Sequence, residues 1–241
     1  MKTKKRCPKC GQKLKSCRCQ ERRKKKIALI ILSIVILLII VSCFANSARL
    51  HYYSRPFYAI LDSLPDEKIK GDYYHLLNTD QLKLGFITGE MAVPAHSNKK
   101  TGIMEISLKA FKTMPQEKLW CVLVHEHGHI YGDKNISISE SRRMTPKKNA
   151  KLIWDDERNA IKAEAYFAQR QNFLEETHPE IVRAMAELKI DLDTAIAVIL
   201  FQDLMNSPYQ PYQQFKPYFP EIFLNEVPAQ HRDKFKFINA K

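Results

Sequence analysis

The amino-acid sequence predicts an α+β domain in which a small sheet packs on a histidine-bearing helix and further helices follow, the whole preceded by one transmembrane helix. Three observations carry this. An uncharged apolar run, IALIILSIVILLIIVSCF, occupies Ile27 to Phe44. QLKLGFITGE and TGIMEISLKAF then alternate apolar and polar residues as strands do. Beyond Pro115 the apolar residues recur at helical spacing as far as Met205. A chain of 241 residues is long enough for one sizeable domain with appendages.

Residues 1–26 form a basic leader, with thirteen Lys and Arg against the single acid Glu21. Of the formal net charge of +13, this leader accounts for +12. Because the body is nearly neutral, no nucleic-acid partner is expected for it. Residues 27–45 read as a transmembrane signal anchor, since Ile27 to Phe44 would rise ~27 Å as a helix against a hydrocarbon thickness of ~30 Å. The positive charge before the run places the leader in the cytoplasm and everything from about Ala45 outside it, with the lipid bilayer as a partner. The leader's Lys and Arg also suit anionic headgroups. In the alternative reading, Ile40-Val41-Ser42-Cys43 resembles the lipobox of bacterial lipoproteins, which implies cleavage before Cys43 and lipid on its sulfur.

Within the leader, CPKCGQKLKSCRC brings Cys7, Cys10, Cys17 and Cys19 together. Its first half, C-P-K-C-G, resembles the knuckle of zinc ribbons, which implies a structural zinc ion held by the four thiolates. The second half, C-R-C, is tighter than the usual C-x-x-C. Free thiols and disulfides are the other readings, and a reducing compartment disfavours the latter. So short a segment buries no core, so metal would be what orders it.

Residues 46–241 show no internal repeat and no second break in composition, so one domain is expected there. NSARLHYYSRPFYAILDSLP reads as a lead-in and a helix ending at Pro65. In the second alternating stretch Met104, Ile106 and Leu108 share one side, and PAHSNKK between the two stretches reads as a turn. Helices follow at about 115–131, 151–176 and 179–205. SPYQPYQQFKPYFPEIF, rich in Pro and aromatics, reads as an extended strap laid over the domain surface.

The first of these helices, PQEKLWCVLVHEHGHIYG, has Pro115 at a first-turn position and Glu117 where a negative charge suits the helix dipole. Leu119, Trp120, Leu123 and Val124 give it an apolar side, and Cys121 reads as a packing residue. His125 and His129 are four apart, so their rings project from one face and can share one ion. Glu126 adjoins His125, where in an H-E-x-x-H arrangement a carboxylate reaches water rather than the metal, which makes it the candidate catalytic base. His127 points to another side and reads as a bystander or a partner of solvent.

VLVHEHGHIYGD resembles the active-site helix of the zincin metallopeptidases, many of which carry H-E-x-G-H after apolar residues. The match covers about twelve residues and, more loosely, the strand before and the helix after. It implies a zincin-like domain that holds a catalytic zinc ion and hydrolyses a peptide or protein substrate. Such an ion needs a third protein ligand and an open position. Asn135 stands where the longer metzincin signature requires a histidine, so a carboxylate from a later helix, as in gluzincins, is expected instead.

DDERNAIKAEAYFAQRQNF offers Glu157 and Glu164, seven apart and on nearly one helical face. Because E-R-N-A followed by A-E-A-Y-F resembles the glutamate helix of several zincins, Glu157 is preferred; Glu164, Asp155, Asp156 and His178 remain alternatives. Thermolysin-like gluzincins place an Asp four residues after the ligand glutamate, whereas this chain has Ile161 or Ala168 there. The group orienting a histidine must then come from elsewhere, such as Asp133 or a backbone carbonyl. Tyr131, Tyr166, His178 and His231 are candidate donors to an oxyanion. The function expected from all this is a membrane-anchored zinc metallopeptidase. Its rivals are a zinc hydrolase acting on another amide and a non-catalytic tethered sensor or envelope-assembly protein that keeps a closed metal site.

Overall fold

The computed structural model describes residues 18–131 apart from 90, 92, 99 and 100, and residues 144–239 apart from 209. Cys7, Cys10 and Cys17 lie outside the described residues, as do Asp133, Asn135 and the side chains of Cys19 and Cys43. The chain divides into two compact units, Met1–Tyr53 and Ser54–Lys241.

Helix α1 covers Arg18–Ser63, and in the first unit its described apolar side chains, from Ile27 to Val41, are exposed. Among the described residues no helix is long and apolar enough to cross a membrane. The expectation of a transmembrane helix over 27–45 is corrected accordingly, and with it that of a single-pass chain with a cytoplasmic leader and an extracytoplasmic body. The apolar stretch occupies only part of α1, which is charged from Arg22 to Lys26 before it and carries Arg49 and Arg55 beyond it.

The second unit begins with the end of α1, where Phe57, Leu61 and Leu64 are buried. Helix α2, Glu67–Asn78, starts where the Asp66 carboxylate accepts from the Ile69 amide at 3.0 Å, an N-cap that satisfies one orphan donor. It buries Tyr73 and Leu76, and the Tyr73 hydroxyl donates to the Leu123 carbonyl at 2.7 Å. Three strands follow: β1 Lys83–Ile87, β2 Ala95–Asn98 and β3 Ile103–Ser107. The sheet order is β1-β3-β2, with β1 parallel and β2 antiparallel to β3.

Met104 and Ile106 are fully buried, as their alternation predicts. Two details depart from the sequence pattern. PAHSNKK is not merely a turn, since Ala95 to Asn98 pair with Ile106 to Ile103. Leu108 opens helix α3, Leu108–Thr113, because Ser107 caps the Ala110 amide and ends the strand. At the β2–β3 turn Gly102 has φ +63°, and a Cβ there would lie 2.7 Å from the Gln81 carbonyl oxygen, so only glycine fits.

Helix α4, Gln116–Tyr131, packs against β2, which makes the unit α+β in kind though mostly helical. Helix α5, Pro146–Arg170, is capped by Thr145 and opens on Pro146, a residue whose missing N–H costs nothing in a first turn. It ends before Asn172, whose left-handed φ of 63° breaks the expected single helix; the short α6, Leu174–Thr177, follows. Helices α7, Pro179–Leu188, and α8, Leu192–Asn206, are likewise separated where one was expected. Lys189 turns left-handed there, and Asp191 caps α8 through the Thr194 amide at 2.8 Å.

The Pro-rich C-terminus is not an extended strap. It forms short helical pieces: α9, Gln210–Gln213, a 3-10 turn at Lys216–Tyr218, α10, Phe219–Glu226, and a 3-10 segment at Ala229–Asn239. Pro217 and Pro220 sit in first turns, where proline is compatible with helix. Phe219, Ile222 and Phe223 bury against Trp154 of α5 and the apolar α8, forming one core, while the sheet, α2 and α4 enclose another. Lys151 and Arg158 both pair with Glu226, at 2.9 and 2.7 Å, and fasten α10 to α5.

Candidate metal centre

The centre lies where α4 and α5 touch most closely. Gly128 faces Ala160, and a Cβ on Gly128 would come within 2.9 Å of the Ala160 Cα. Two small residues thus let the helix backbones approach, and polar side chains one turn away on each helix meet. Leu119, Cys121, Leu123 and Val124 bury the other side of α4, which fixes its rotation and turns His125 and His129 toward α5.

His125 Nε2 and His129 Nε2 are 3.0 Å apart, and Glu157 Oε2 lies 3.9 and 3.7 Å from them. Ligand atoms around a tetrahedral zinc ion with bonds of ~2.0–2.1 Å stand ~3.3 Å from one another, a spacing these three bracket. The side chains remain 23, 13 and 23 % exposed, so the site opens to solvent.

The far sides of both rings are occupied. His125 Nδ1 donates to Glu164 Oε2 at 2.9 Å, and His129 Nδ1 to Asp156 Oδ2 at 3.0 Å. With each Nδ1 carrying the hydrogen, each ring in its neutral form turns a lone pair at Nε2 toward the other. Two acceptors at 3.0 Å need a cation or a proton between them, which is what a metal-binding pair requires. Burial disfavours charge on His125, yet the hydrogen bond and charge of Glu164, with Glu157 and Glu126 nearby, raise its pKa to about 9.

Glu164 therefore meets His125 at Nδ1, away from the facing pair of Nε2 atoms. Its other oxygen accepts from His178 Nε2 at 3.0 Å, and although burial works against ionisation, the two histidines hold its pKa down at about 2. His178 is buried and its Nδ1 lies 2.8 Å from Thr177 Oγ1. Cys121, Glu164 and His178 form a second group whose ligand-type atoms lie within 4.8 Å of one another. There both glutamate oxygens already accept hydrogen bonds, and burial followed by the Glu164 charge lifts the thiol to about 12. Cys121 is thus a buried thiol, as its position in the helix predicts.

Glu126 is buried at 4 % exposure, and its Oε2 has no hydrogen-bond partner among the described residues. An orphaned carboxylate oxygen beside His125 costs stability unless the site uses it. His127 stays out of the histidine pair but does not face solvent. Its Nε2 contacts Asp72 Oδ2 at 2.9 Å and its ring stacks on Tyr131 at 4.5 Å, tying α4 to α2.

Of the expected oxyanion donors, Tyr166 donates to Asp193 and His231 lies 3.9 Å from Asp191. Asp155 pairs with Lys151 instead of joining the cluster. A residue the sequence pattern does not single out does reach the centre: the Tyr212 hydroxyl donates to Glu157 Oε1 at 2.7 Å. No spacing connects it to the histidine helix, and only the fold of the C-terminal segment brings it there.

Ile161 stands four residues after Glu157, and the carboxylates that contact the two rings come from other positions. Asp156, adjacent to Glu157, serves His129, and Glu164, two turns on, serves His125. Comparison of the chain with protein-family models, curated proteins and solved structures finds no match.

Proposed function

We propose that this protein is a zinc-dependent peptidase in which His125, His129 and Glu157 hold the ion and Glu126 is the general base. The observation that carries the reading is the facing pair of Nε2 atoms at 3.0 Å with Glu157 Oε2 beside them, each ring backed by a carboxylate at Nδ1. Paired histidines on one helix, a carboxylate from the next and a solvent-open face match a catalytic rather than a closed structural zinc site. When bound, zinc would supply Lewis acidity toward a carbonyl and lower the pKa of a water to ~7.

The residues do the rest. Glu164 and Asp156 keep both imidazoles in the tautomer that leaves Nε2 free. Glu126 Oε2, which has no hydrogen-bond partner among the described residues, accepts a proton from the attacking water and returns it to the leaving amine. The resemblance of VLVHEHGHIYGD to the zincin helix supports peptide as the substrate class.

The test is metal analysis of the purified protein together with hydrolysis of a fluorescence-quenched peptide library. One zinc ion per centre, lost in His125→Ala, and hydrolysis abolished in both His125→Ala and Glu126→Gln are expected. A protein that binds zinc through His125 yet cleaves no member of the library would overturn the peptidase reading.

A further inference from the structure

The Glu157 carboxylate has two oxygens in different surroundings. Oε2 faces both imidazole Nε2 atoms at 3.9 and 3.7 Å, whereas Oε1 accepts from the Tyr212 hydroxyl at 2.7 Å. Glu157 is 23 % exposed on a helix, with a terminal torsion that is broad when nothing restrains it. Left alone, such a carboxylate can turn either oxygen, or both, toward an ion.

Tyr212 itself is held. It lies in α9, half-buried, and packs against the core shared by α5, α8 and α10. Its carbonyl accepts from the Phe215 amide at 2.9 Å, and the neighbouring Gln213 side chain donates to the Ser207 carbonyl at 2.8 Å. The phenol is therefore a fixed donor presented by the C-terminal segment to one oxygen of one ligand.

We infer that Tyr212 is a positioning residue of the metal centre, which holds Glu157 in a one-oxygen mode and makes the centre's geometry depend on the C-terminal segment. The inference rests on the ligand set proposed above. By occupying Oε1, the phenol leaves Oε2 directed at the histidines and keeps the second carboxylate oxygen from taking the position a substrate carbonyl or water needs. Hydrogen-bonded partners of metal ligands act in this way, and their loss weakens binding by about 10–100-fold.

The experiment is a double-mutant cycle on the full chain, with Tyr212→Phe, Glu157→Gln and the pair. Zinc affinity is read by competition titration, and the visible spectrum is recorded after cobalt(II) substitution. Tyr212→Phe keeps the ring and removes only the hydroxyl. Expected are a ~10-fold or greater loss of zinc affinity, an altered cobalt spectrum, and no further effect of Tyr212→Phe in the Glu157→Gln background.

Unchanged affinity and spectrum in Tyr212→Phe would overturn the inference. So would an equal loss of affinity in both backgrounds, which would assign the effect to folding, and this comparison holds even if the variant melts earlier. His125→Ala run in the same titration separates the two ideas: zinc binding that survives it sinks the ligand set itself, whatever Tyr212 does.

Discussion

His125 is held from both sides, by Glu164 at Nδ1 at 2.9 Å and by the approach of His129 at Nε2 at 3.0 Å. The first contact selects the tautomer and the second places the free nitrogen beside its partner. Glu164→Gln preserves size but replaces an ionised acceptor with a neutral amide, which can donate to Nδ1 and favour the wrong tautomer. Zinc affinity is expected to fall about 10–100-fold, measured by competition with a chelator, while the protein remains folded.

Glu126 adjoins that same histidine and keeps a buried oxygen with no hydrogen-bond partner among the described residues. Glu126→Gln should leave zinc content unchanged and lower kcat by about 10²–10⁴-fold, with the loss in kcat rather than in KM. Parent-like turnover with bound zinc would remove Glu126 from the role of base.

Gly128 sets the distance between α4 and α5. A methyl group there meets the Ala160 backbone at 2.9 Å, and backbone cannot step aside as a long side chain can. Gly128→Ala gains about 1 kcal/mol in intrinsic helix propensity. The helices must separate, however, and overpacking costs about 1–3 kcal/mol. Weaker zinc binding together with a denaturant midpoint no higher than the parent's is the expected outcome, because separation draws Glu157 away from both histidines.

Asp191 caps α8, with hydrogen bonds to the Thr194 amide at 2.8 Å and hydroxyl at 3.1 Å. The amide bond, working against burial, keeps its pKa below the ordinary carboxylate value. A depressed folded-state pKa contributes stability above the unfolded-state value and loses it as pH falls through the folded one. Asp191→Ala should therefore cost about 1 kcal/mol near neutral pH, and the gap between parent and variant should close on acidification below pH ~4, as read by urea melts across pH.

Local spacing revealed much of the centre. The histidine helix was legible almost to its ends, because an apolar side and an i, i+4 histidine pair follow from one periodicity. Glu157 and Glu164 were legible as a pair but not in their roles. Both lie on one face of α5, and they differ only in which nitrogen of His125 they meet, a matter of how α5 slides along α4. Strand β2 was hidden by composition, since its inward residues are Ala95 and Ser97, small enough to bury without an apolar signature. The Pro-rich C-terminus misled in the other direction, because proline within a first helical turn looks the same in sequence as proline in an extended segment.

By itself the sequence determined the chemistry available: two imidazoles and a carboxylate on one helix, with carboxylates on the next, because these depend only on 3.6-residue periodicity. Tertiary structure decided the assignment. The Gly128–Ala160 contact brings the helices close enough for Glu157 to meet both Nε2 atoms and for Glu164 and Asp156 to take the Nδ1 atoms. The fold of the C-terminal segment then delivers Tyr212 across 55 residues of chain to the remaining oxygen, a contact set by packing between elements that no local pattern encodes.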